Sequence, residues 1–172
     1  MRGSRLALSM VVDSADVAMT GETVSVIPEG ERWFDGTLGD VTVRDTRCAA
    51  QVADGAAWWV QGVATDFVAQ DSQENNIEAK HLGWEPAFTD PSYEGSVAAG
   101  DRVAPYLEDT ANENGFDPAE GVEFLANVAT SSNDPEVIAE DEWTANAKMI
   151  LKVPDTVEDG GYVSQLTLSL FE

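Results

Sequence analysis

Two adjacent tryptophans, Trp58 and Trp59, lie inside the apolar stretch Ala56-Ala57-Trp58-Trp59-Val60-Gln61-Gly62-Val63-Ala64. Successive side chains of a strand point to opposite faces, so one indole of the pair must leave the core unless a loop covers it. An outward indole offers a broad apolar surface for non-covalent recognition of a polymer or another protein. A second candidate is the oxygen-rich run Glu108-Asp109-Thr110-Ala111-Asn112-Glu113-Asn114-Gly115-Phe116-Asp117. Calcium takes carboxylate, amide and carbonyl oxygens from flexible loops, which makes Asp109, Asn112, Asn114 and Asp117 candidate ligands. With Gly115 in the glycine position of an EF-hand, the first ligand falls on Thr110 and the last on Gly121, so an EF-hand is excluded. An irregular calcium loop and a solvated acidic loop remain. The acidic run Glu140-Asp141-Glu142 carries the same two readings.

Covalent and acid-base chemistry has little to work with. The chain has one cysteine, Cys48, and one histidine, His81, and neither stands in a hydrolase signature. Cys48 reads as a buried or half-buried thiol, and His81 as an ordinary strand residue. No phosphate-binding glycine loop, nucleophile elbow or multi-cysteine zinc pattern occurs. Acidic pairs for glycosidic chemistry are too numerous to single one out. A non-enzymatic protein is the expectation, with a carbohydrate-active enzyme on the same scaffold as the minor alternative.

The totals fit that expectation. At 172 residues the chain suits one domain with its own core, and its five Trp, six Phe and three Tyr can fill one. It carries 32 acidic against nine basic residues, a net charge of −23. Such a surface repels phosphates and anionic lipids, so nucleic acid is excluded as a partner; the acids either simply solvate the surface or face cations, basic polymers or a basic protein patch. No apolar run approaches the roughly 20 residues of a membrane-spanning helix. Residues 1–4 read as a flexible or vector-derived start and residues 5–172 as a single domain.

The positioning elements are strands. Leu6, Leu8 and Met10 share one face of a first strand, and Val24 to Ile27 suggest a short second one. Val41 and Val43 alternate with Asp40, Thr42 and Arg44. Asp45 and Arg47, two apart, are expected to form a local ion pair. Residues 77–88 form a strand ended by Pro86. The least regular stretch, residues 89–145, allows one or two short helical turns starting at Asp117-Pro118 and Asp134-Pro135. Residues 147–154 and 162–171 read as a closing hairpin, with Leu166, Leu168 and Leu170 inward. Many short turn-bounded strands predict an all-β, antiparallel sandwich of Ig-like or Greek-key type.

Three segments in order resemble a known family. They are Val43-Arg44-Asp45-Thr46-Arg47, then Trp58-Trp59-Val60, then Pro154 followed by Gly161-Tyr162-Val163-Ser164-Gln165-Leu166-Thr167-Leu168-Ser169-Leu170. The pattern resembles the WxL-type surface domains of Gram-positive bacteria. It departs from them in having no leucine after the tryptophan pair, and Leu168 where the second tryptophan motif belongs. The resemblance implies a secreted, extracellular cell-surface domain that attaches non-covalently to a cell-wall polymer or another surface protein through Trp58 and Trp59. The alternative expectation is a structural subunit of a filament, pilus or surface layer. In that reading residues 6–12 and 166–171 pair between copies by strand addition.

Overall fold

The computed structural model describes residues 7–21, 26–47, 57–71, 75–90, 97–110, 116, 121–127 and 141–172. They build an all-β fold of antiparallel strands packed as a sandwich. The first sheet joins β1 (Leu8–Val12), β3 (Glu31–Asp45), β10 (Asp141–Pro154) and β7 (Leu82–Phe88), with the two-residue β2 (Thr20–Gly21) also on β3. The second has the order β12 (Leu166–Phe171), β4 (Trp59–Ala64), β9 (Val122–Asn127), β8 (Val97–Ala99). A small third sheet is formed by β11 (Tyr162–Val163), β5 (Phe67–Ala69) and β6 (Asn76–Ile77).

The long pair β3 and β10 is the spine of the first sheet. Leu38 pairs with Ala147 and Val41 with Ala145, so Gly39 and Asp40 stand opposite Asn146 alone. This bulge reverses the alternation along β3. Phe34 and Leu38 face the core before it, and Val41 and Val43 after it. From β10, Trp143, Ala145, Ala147, Met149, Leu151 and Val153 point inward in strict alternation.

Trp84 of β7 packs across the sandwich tightly against Gly62 of β4. A Cβ on Gly62 would lie 2.5 Å from the indole of Trp84. That ring is held edge-on by Phe116 and tilted against Phe124, at centroid distances of 4.8 and 5.4 Å. Glycine is thus required in β4 for close packing, not for an unusual backbone angle.

Several expectations are corrected here. Val26 and Ile27 lie outside any strand, and Val26 is exposed. Pro86 does not end its strand but sits buried inside β7, paired with Ala147. Proline is tolerated there because β7 lies at the end of its sheet, where a missing N–H interrupts no second ladder. Residues 154 and 162 do not open and close a hairpin: β10 pairs with β3 and β7, whereas β12 pairs with β4. His81 lies in a 3-10 turn, Ala79–His81, instead of a strand. The helical turns expected at Asp117 and Asp134, and Cys48, fall outside the described residues.

The stretches 57–67 and 162–171 each break into two strands, and the breaks face each other. Thr65 N–H donates to the Gln165 carbonyl, Gln165 N–H donates to Thr65 Oγ1, and Ser164 Oγ donates to the Thr65 carbonyl. Through this corner the pair β4/β12 leaves one sheet and continues as β5/β11 in another.

Candidate functional site

The β4 register settles which tryptophan is inward. Trp58, Val60 and Ala64 are buried, and Trp58 packs against Trp143 at 5.4 Å between ring centroids. Its indole N–H has no acceptor among the described residues, a cost accepted for filling the core. Trp59 lies on the outer face with Gln61 and Val63, all half-buried. Of the two residues expected to form a binding surface, the fold therefore leaves Trp59 in place and assigns Trp58 to packing.

Trp59 is not alone. Phe171 of β12 is its direct cross-strand partner, and the two rings stack at 5.5 Å with planes 18° apart. Phe171 remains 41% exposed, so the pair forms an apolar shelf open to solvent. Along the same face the register places Gln61 beside Ser169 and Val63 beside Thr167. The result is a flat strip of two rings followed by an amide and two hydroxyls, suited to stacking on a flat apolar face while hydrogen-bonding its polar edges. Phe171 was missed in the sequence because its partnership with Trp59 exists only through the β4/β12 pairing.

The expected Asp45 and Arg47 ion pair is present and forked. Arg47 Nε lies 2.9 Å from Asp45 Oδ1 and Nη2 2.8 Å from Oδ2, with both side chains largely buried. Arg47 also reaches Glu172, next to the aromatic shelf. Hydrogen bonding to Asp45, working against burial, holds the guanidinium pKa above its ordinary value. This pair anchors the chain after β3 beside the end of β12.

In the acidic run, Glu108 accepts from Arg102 Nη2 and from Lys152 Nζ, each at 2.9 Å. Those two cations, led by the Arg102 hydrogen bond, bring its carboxyl down to about 2. Lys152 is buried and also lies over the ring of Trp33 at 3.7 Å. Asp109 is exposed at the end of the following turn, while Asn112, Asn114 and Asp117 lie outside the described residues. Among the described residues no three His, Cys, Asp or Glu are grouped to hold a metal ion. Glu142 of the second acidic run lies opposite Arg44, 4.0 Å away.

His81 is bound into the same side of the molecule. Its Nδ1 lies 3.0 Å from the Lys152 carbonyl, and its ring meets Tyr106 edge-on at 5.7 Å. Burial lowers its pKa, so the neutral ring is favoured.

A cleft of about 1080 Å3 opens on the opposite edge of the sandwich. One wall is formed by residues 14–19, which lead from β1 to β2, and the other by residues 157–166. Between the walls it reaches core side chains, among them Phe34, Leu38, Phe67, Ile77, Leu151 and Val153. No sequence pattern marks it, because its walls come from distant irregular segments.

Comparison with protein-family models, with curated proteins and with solved structures finds no match. Among the described residues, no helix is long and apolar enough to cross a membrane.

Proposed function

We propose that the protein is a non-enzymatic, extracellular surface module that attaches non-covalently to the cell envelope, in the manner implied by its resemblance to WxL-type domains. The observation that supports this reading is the stacked Trp59 and Phe171 pair on an outer sheet face. Nothing in the core packing requires an aromatic pair there, and a half-exposed ring pair beside hydroxyls and an amide is a recognition surface of low conformational-entropy cost. The partner it suits is a cell-wall polymer, whose sugar rings offer flat apolar faces bordered by hydroxyls. The shelf side chains Trp59, Phe171, Gln61, Ser169 and Thr167 are themselves uncharged, so contact there is made by stacking and hydrogen bonding.

The test is co-sedimentation of the full chain with purified Gram-positive cell walls. Trp59→Ser combined with Phe171→Ser is expected to reduce binding roughly 30-fold, the effect of losing a recognition hot spot. The melting temperature should change little, since both rings lie on the outer face. Unchanged binding by the folded double variant would remove the shelf from the attachment role. Trp58→Ser is no substitute for this test, because it empties the core.

A further inference from the structure

The cleft at the open edge of the sandwich has two properties that single out an occupant. Its interior is apolar, and its rim carries the exposed carboxylates Asp16, Glu158 and Asp159 against one cation, Arg32, which is already held by Asp159 at 2.5 Å. Alongside it runs β12, which ends its sheet, so the edge opposite β4 has no strand partner among the described residues. β1 likewise ends the first sheet, and its last residue, Val12, lines the cleft. An open strand edge binds an extended segment through main-chain hydrogen bonds, while alternate side chains enter the apolar space below.

We infer that the cleft receives an extended, basic segment of a partner protein, whose apolar side chains enter the cleft and whose lysine or arginine side chains meet the carboxylates at its rim. A second copy of this chain is the poorer occupant. Each copy carries a net charge of −23, and the rim would meet a like-charged strand. The site is separate from the outer shelf: Leu166 and Leu168 line the cleft, whereas Thr167, Ser169 and Phe171 face the other way. Failure of one reading therefore leaves the other standing.

The probe is a nonapeptide of alternating lysine and valine, compared with a lysine/serine and a glutamate/valine peptide of the same length. The lysine/valine peptide is expected to bind the full chain about tenfold more tightly than the lysine/serine peptide, and the glutamate/valine peptide not to bind. Deuterium uptake should fall in fragments covering residues 12–19 and 157–170. Reversing the rim with Asp16→Lys and Glu158→Lys should weaken binding about tenfold. The control Glu85→Lys and Glu123→Lys, with the same change in charge on other faces, should do so far less. Equal binding of the two lysine peptides, equal loss in both double variants, protection elsewhere, or no binding would each overturn the proposal. Concentration-dependent dimerisation of the chain alone through these fragments would overturn it in favour of a second copy.

Discussion

The two edges of the sandwich are built on opposite principles. At the β7 edge the chain folds back on itself. Val103 forms a bridge with Trp84, Pro105 lies over Gly83, and Glu108 joins Arg102 and Lys152 above Trp33. The charged groups Arg102, Glu108 and Lys152 are paired within the molecule, and the strand edge is partly covered. At the β1/β12 edge the sheets part, apolar side chains reach a cleft, and exposed carboxylates line its rim. Both edges draw on the same core strands, β3 and β10. The difference is whether local chain is available to cover the gap, which separates a closed side from an open one.

This contrast can be broken from the closed side first. Trp84→Ala removes the ring that locks β7 onto β4 and should cost about 3–5 kcal/mol in urea denaturation. Gly62→Ala pushes against the same ring from the other sheet, and about 1–3 kcal/mol is expected. If the Gly62 substitution is tolerated without loss, the close approach of the sheets is not a determinant of the fold.

Glu108→Gln is the next step down, at about 1–2 kcal/mol near neutral pH, because Lys152 loses its charged partner. The carboxyl titrates lower in the folded chain than in the unfolded one, so its contribution is present above about 4.5 and fades as pH falls toward about 2. The gap between wild type and Glu108→Gln in urea midpoint should therefore narrow over that interval. A gap independent of pH would show that the pairing carries no charge-dependent stability.

The open side should respond least. Val163→Ser and Val68→Ser, at an exposed cross-strand pair beside the cleft, should change stability by under about 0.5 kcal/mol. A loss of several kcal/mol there would mean that the open edge also carries the fold, and would erase the distinction between the two sides.

How much of this is visible in the sequence depends on distance along the chain. Local alternation identifies β4, β12 and the inner half of β3, and it places Trp58 and Trp59 on opposite faces. It also anticipates the Asp45 and Arg47 pair. What it cannot see is which strands are neighbours. Residues 147–154 and 162–171 look like a hairpin because a turn separates them, yet the turn crosses between sheets. The bulge at Gly39 and Asp40 hides the full length of β3, since the apolar parity changes within it. The shelf was half legible: Trp59 could be found, but Phe171 joins it only through pairing. The cleft was not legible at all, because its walls are irregular and far apart in sequence.

The facing breaks at Thr65 and Gln165 bear on how the molecule reaches this state. Thr65 and Ser164 meet across 99 residues, and Thr42 and Thr144 across 102. Neither main sheet can be completed from neighbouring sequence. Contacts this remote delay the rewarding pairings until much of the chain has been ordered, which places folding in the slow, millisecond-to-second class of all-β proteins. A chain emerging residue by residue holds β4 without its outer neighbour until residues 166–171 follow. During that interval its apolar face is open to any extended strand nearby.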